Sequence, residues 1–186
     1  ALLADEASPL GEQPDEAAAW RGVYRAMEAR FRTHYWNGES LQSVVWPAHE
    51  AVPSASLLNL MPLVLGERLP RDIYAALVRR LEEGGYLAPA GLATEATTSA
   101  AYMEGGSYWR GPMWAPVVYL LADGLRRGGS DALAERIARR FCETVRTSGG
   151  MYENYDAVTG EGYDDAAYTW TASVFLLLLR EYSLFE

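Results

Sequence analysis

The 186 residues are 49% apolar and 22% charged, the balance of an ordinary globular domain, which argues against intrinsic disorder. Sixteen Lys and Arg against 25 Asp and Glu leave a net charge of −9, so the chain has no basic stripe for nucleic acid and no attraction to anionic lipid. Twelve Tyr and six Trp outnumber four Phe; most ring surface therefore carries a polar handle, a mixture that suits both helix interfaces and carbohydrate clefts.

The chain opens on Ala1-Leu2-Leu3-Ala4 without an initiating Met or a basic n-region, which reads as a cut edge rather than a signal peptide, and residues 1–14 are expected to be poorly ordered. Pro14-Asp15-Glu16 has the chemistry of a helix start, and Trp20, Val23, Tyr24, Met27 and Phe31 follow at three- and four-residue steps on one face. A second helix is predicted from Ser54, as its cap, to about Leu65. A third runs from Pro70 to Glu83, with Ile73, Leu77 and Leu81 on one stripe and Gly84-Gly85 ending it. The stretch Tyr86 to Tyr108, rich in Pro, Gly, Thr and Ala, is too long for a mere connector and is expected to be functional or mobile.

A fourth helix is predicted from Gly111-Pro112 to Arg127, closed by Gly128-Gly129, and Ser130-Asp131 caps a fifth that reaches about Arg146. A second long loop, Met151 to Asp165, precedes a last helix from about Ala166 to Tyr182, whose run Val174 to Leu179 is apolar on nearly all sides and should be buried. No apolar stretch approaches the ~20 residues that span a bilayer, and with no address signal in the chain a cytoplasmic setting is expected. Six helices without a convincing strand signal predict an all-α, single-domain fold of about three antiparallel hairpins. Hairpins whose long loops gather at one end describe a toroid, and three are half of a six-hairpin ring.

Cys142 is the sole cysteine, so no internal disulfide can form, and its apolar helical neighbours mark it as a small core residue. His34 and His49 are too few and too far apart in sequence for a zinc-ligand pattern. Neither a metal nor another cofactor is expected.

Two segments carry chemistry. Tyr108-Trp109-Arg110-Gly111-Pro112-Met113-Trp114 crowds indoles, a phenol and a guanidinium at a helix entrance; indole faces bind the apolar faces of sugar rings and the Arg fork binds hydroxyls or a carboxylate. Met151-Tyr152-Glu153-Asn154-Tyr155-Asp156, then Thr159-Gly160-Glu161-Gly162, places a carboxylate between two tyrosines on a Gly-bounded loop, where partial burial and hydrogen bonds can tune it as a base. Glu161, in the same loop, is the rival. The other reading makes Trp109 and Trp114 core anchors with Arg110 paired to a buried acid, and the carboxylates part of a solvated acidic loop.

Tyr-Trp-Arg-Gly-Pro-Met-Trp, Tyr-Glu-Asn-Tyr-Asp-x-x-Thr-Gly-Glu-Gly and Tyr-Thr-Trp-Thr-Ala, in that order, resemble the end of the catalytic domain in glycoside hydrolase family 63 and its relatives. These include mannosylglycerate and glucosylglycerate hydrolases, processing α-glucosidases and the related trehalases. The similarity is strong over Tyr108 to Leu179, weaker over Ser54 to Thr98, and slight before Trp46. It implies the later half of an (α/α)6 toroid that hydrolyses an α-glycosidic bond with inversion. By motif, Glu153 takes the role of general base. Trp109, Arg110, Trp114, Tyr152, Tyr155, Trp170 and Tyr108 are the substrate-binding candidates, and the substrate is an oligosaccharide or small glycoside.

The general acid of those families lies in an upstream loop that nothing between Ala1 and Trp46 matches. The chain is therefore expected to be inactive alone and to associate with itself or with the rest of the ring. A carbohydrate-binding or oligomerising module of the same fold is the alternative. A magnesium-dependent barrel built on Asp164-Asp165 is a third reading, resting on fold analogy alone.

Overall fold

The computed structural model describes residues 14–105 and 108–185; most of the edge expected at residues 1–14 lies outside them. The chain divides into two units, residues 1–52 and 53–186.

In the first unit, helix α1 (Pro14–Tyr35) has Glu16 near its positive end and Arg32 in its last turn, each complementing the helix dipole. Its predicted apolar face is largely open to solvent, with Trp20, Val23 and Met27 exposed. The Asn37 side chain accepts from the Glu39 and Ser40 amides and turns the chain toward the antiparallel pair β1 (Ser43–Val45) and β2 (Glu50–Val52), in which Val44 faces Ala51.

The second unit holds five of the six predicted helical segments. Its first element, Leu57–Arg68, is a 3-10 helix rather than an α-helix. Pro62 within it removes a backbone donor, and its cap is Ser56, not Ser54. Helix α2 (Arg71–Glu83) buries Ile73, Leu77 and Leu81 as its stripe predicts. Helices α3 (Ala115–Arg127) and α4 (Asp131–Ser148) pack on each other, and α3 also lies against the 3-10 segment. That approach is close enough to require glycine: a Cβ on Gly124 would stand 2.3 Å from the Leu63 carbonyl oxygen. Ser130 precedes α4 but makes no side-chain cap bond, because its hydroxyl meets the Tyr74 hydroxyl at 2.9 Å.

Helix α5 (Thr169–Glu181) packs on α3 and α4 through Thr171, Val174 and Leu178. The expectation that the whole run from Val174 to Leu179 is buried does not hold, since Leu176 is 65% and Leu177 41% exposed. With α3 and α4 on one side only, a single i, i+3, i+7 stripe is covered. Two predicted helix starts also move. Gly111 to Met113 cannot begin α3 because Met113 exchanges backbone hydrogen bonds with Tyr155, at 2.7 and 3.0 Å. Ala166 and Tyr168 are engaged with the Met151 backbone, so α5 starts at Thr169.

The stretch from Tyr86 to Tyr108 is no mobile loop over its first half. Tyr86, Leu92, Ala93, Thr94 and Ala96 are buried, and α4 holds this segment through Arg140 to the Ala88 carbonyl and Thr144 to the Ala90 carbonyl. The second loop contains the short antiparallel pair β3 (Asn154–Tyr155) and β4 (Gly162–Tyr163). These ladders of two or three residues are too short to show the alternation by which strands are recognised. Among the described residues no helix is long and apolar enough to cross a membrane.

Candidate active site

The Glu153 segment is fixed main chain first. The Glu153 amide donates to the Asp165 carbonyl at 2.8 Å and its own carbonyl accepts from the Trp170 indole N–H at 3.1 Å. One residue earlier, the Tyr152 carbonyl accepts from the buried Thr171 hydroxyl at 2.6 Å. One residue later, the Asn154 amide donates to the Asp164 carboxylate at 2.8 Å. Three successive residues are thus tied to the start of α5 or to the segment leading into it, which leaves the half-buried Glu153 side chain on a rigid mount.

Beyond Asn154 the hairpin closes on Asp156. One oxygen of this buried carboxylate accepts from the Val158 and Thr159 amides, both at 2.8 Å, and the other from the Tyr163 hydroxyl at 3.1 Å. Burial alone would raise the Asp156 pKa, but the hydrogen bonds from Thr159, Val158 and Tyr163 outweigh it and hold the carboxyl below its usual value. Burial and the same carboxylate push the Tyr163 hydroxyl up to about 12. Glu161 lies in the exposed turn of this hairpin, at the end opposite Glu153.

The aromatic residues form a continuous strip. Trp109 stacks on Trp114 with centroids 5.9 Å apart and planes 14° from parallel. Tyr108 packs edge-on against Trp114, whose indole N–H donates to the Tyr108 carbonyl at 2.9 Å. Trp114 meets Trp170 at 5.7 Å, and Trp170 meets Tyr168 at 4.5 Å. The strip joins Glu153 through Trp170, whose indole bonds the main chain. The Tyr168 pKa is raised, by desolvation first and then by the charge and hydrogen bonding of Glu153.

Thr94 sets the entrance of this strip, its hydroxyl accepting from the Gly111 amide and donating to the Pro112 carbonyl. The structure thus gathers Tyr108, Trp109, Trp114 and Trp170 into one strip, of which Trp170 bonds Glu153. Tyr152 lies beside Glu153 in sequence, with its ring over Gly162 and Gly150. Tyr155 lies in the core, its ring edge-on to that of Tyr152 with centroids 5.9 Å apart. Its ring is fully buried against Phe141, and its hydroxyl donates to the Gly150 carbonyl and accepts from the Tyr152 amide. The Arg110 guanidinium is exposed and joins none of the ion pairs among the described residues. Tyr168 was not singled out in the sequence, although it opens the Tyr-Thr-Trp-Thr-Ala motif.

The model of the mannosylglycerate hydrolase MGH1-like glycoside hydrolase domain matches residues 2–171. The chain belongs to this family. The match reaches well before Trp46, upstream of the motifs that carry the resemblance. A mannosylglycerate hydrolase of Rubrobacter radiotolerans is 30% identical over 96% of this chain and 40% of its own length. A periplasmic trehalase of Xanthomonas campestris is 32% identical over 80% of this chain and 27% of its own length. The crystal structure of a family 63 mannosylglycerate hydrolase from Thermus thermophilus in complex with glucose superposes with a TM-score of 0.77 at 27% identity, covering 94% of this chain and 44% of that one. The neutral trehalase of Saccharomyces cerevisiae shares the fold, with a TM-score of 0.73 at 18% identity, over 88% of this chain and 30% of its own. The architecture is that of the (α/α)6 toroid, and the chain spans about two fifths of the length of its mannosylglycerate hydrolase relatives.

Proposed function

We propose that this chain supplies the basic half of an inverting α-glycosidase site, with Glu153 as the general base. The supporting observation is the rigid mount of Glu153 beside the strip Trp109–Trp114–Trp170–Tyr168. Indole faces hold a pyranose ring, and the carboxylate draws the proton from a water that attacks the anomeric carbon. Inversion needs a second carboxyl group about 6.5–9.5 Å away to protonate the departing oxygen, and this acid is assigned to another part of the ring. The names of the relatives support a small α-glycoside as substrate, of the mannosylglycerate or trehalose kind.

The exposed Leu58, Leu176 and Leu177 support association of the second unit with further helices of such a ring, because apolar faces of this kind call for a partner. Glu153→Gln in the protein that carries this chain, assayed on α-mannosylglycerate, α-glucosylglycerate and trehalose, tests the assignment. Loss of about a hundredfold or more in kcat is expected for removal of a general base. Turnover near that of the parent protein rules Glu153 out of the role.

A further inference from the structure

The two histidines that sequence spacing kept apart meet in the first unit. His34 lies in the last turn of α1, and His49 ends the turn between β1 and β2, with its amide donating to the Val45 carbonyl at 2.7 Å. His49 Nδ1 and His34 Nε2 stand 3.1 Å apart, and both residues are exposed. An aromatic edge supports each ring: Tyr35 against His34 at 4.7 Å and Trp46 against His49 at 5.2 Å.

A nitrogen–nitrogen distance of 3.1 Å suits a hydrogen bond between two neutral rings. It is equally the spacing of two adjacent ligands on one ion. With metal–nitrogen bonds of about 2.05 Å, nitrogens at this distance subtend roughly 98°, between the octahedral and tetrahedral angles. Imidazole nitrogens select zinc, copper(II) and nickel(II) over magnesium and calcium. The chain's net charge of −9 favours cation approach.

We propose that His34 and His49 form a two-imidazole site for a late first-row divalent cation. No group of three or more His, Cys, Asp or Glu that could hold a metal exists among the described residues, so the remaining coordination positions belong to water or to an incoming ligand. Such a site is exchangeable rather than structural, and it is independent of the glycosidase assignment.

Titration of the protein carrying this chain with zinc chloride by calorimetry, and with copper(II) by Trp fluorescence, tests the site. One ion per chain is expected, with quenching that is largely lost in Trp46→Phe because that ring touches His49. His34→Gln, or His49→Asn at a φ of 57° that Asn tolerates, should each weaken binding about tenfold or more, as loss of a ligand must. Thermal unfolding without metal should stay unchanged in both variants, which separates lost ligands from lost fold. Binding of equal strength in both variants, or no binding to the parent protein at ion concentrations well above the protein's, overturns the proposal.

Discussion

Removing the Asp156 carboxylate should loosen the hairpin that follows Glu153. The residue is 6% exposed and its carboxylate accepts three hydrogen bonds, two from backbone amides and one from Tyr163. Bonds to an ionised acceptor are worth about 1.5–3 kcal/mol each, but burial of the charge offsets part of the sum. Val158 and Thr159 are exposed, so their amides can rehydrate once the carboxylate is gone. About 2–3 kcal/mol is therefore the expected cost of Asp156→Ala at pH 7. Asp156→Asn should lose less, because its amide oxygen can still accept from both backbone donors.

The pH dependence has a definite sign. The folded-state pKa lies below the ordinary value of 3.8, so the stabilisation is fully present above that value and fades as pH falls through the lower, folded-state pKa. Urea unfolding of the parent and both variants, run from pH 7 downward, measures this. The gap between parent and Asp156→Asn should narrow only below about pH 4. An Asp156→Ala variant within about 0.5 kcal/mol of the parent at neutral pH, or a gap that does not change on acidification, refutes the reasoning.

Gly124→Ala should destabilise by about 1–3 kcal/mol in urea unfolding, since its Cβ would press on the Leu63 carbonyl and on Val64. In contrast Gly22→Ala, in α1 with nothing within 4 Å, should stabilise by up to about 1 kcal/mol. Burial raises the Cys142 thiol to about 12, so it should resist alkylation at pH 8 in the folded protein and react as soon as urea unfolds the chain. Tyr168→Phe in the protein that carries this chain should lower kcat/KM about tenfold, if its hydroxyl steadies the nearby Glu153 carboxylate as a donor to a charged group does, while leaving the unfolding midpoint in place.

Local periodicity made the helices legible. Ile73, Leu77 and Leu81 recur at four-residue steps because one face of α2 is buried, and the same logic carries Leu133, Ile137, Phe141 and Val145 in α4. What local windows could not show were interactions between distant segments. Pro112 looks like a helix start until Met113 is found paired with Tyr155, and Ala166 until it is found bonded to Met151. Leu176 and Leu177 look buried by composition, yet burial depends on how many neighbours a helix has. In the site, Glu153, Trp109, Trp114 and Trp170 stood out through their motifs. Tyr168 lies fifteen residues beyond Glu153 and feels its charge only because the loop doubles back. His34 and His49 meet through a reversal of the same kind.

One backbone pairing accounts for the assembly of the site. Met113 and Tyr155 exchange two hydrogen bonds, joining the segment that carries Trp109 and Trp114 to the loop that carries Glu153. Met113 and Tyr155 are both fully buried, so the ladder is shielded from water, where an exposed pair of bonds would compete with solvent. The price is the first turn of α3, whose helix begins three residues after Pro112. In return Trp114 is held at the N-cap, with its ring between Trp109 and Trp170. The Gly111-Pro112 turn therefore serves the strip rather than the helix, and Thr94, which bonds both residues of that turn, fixes the backbone from which Trp109 and Trp114 project.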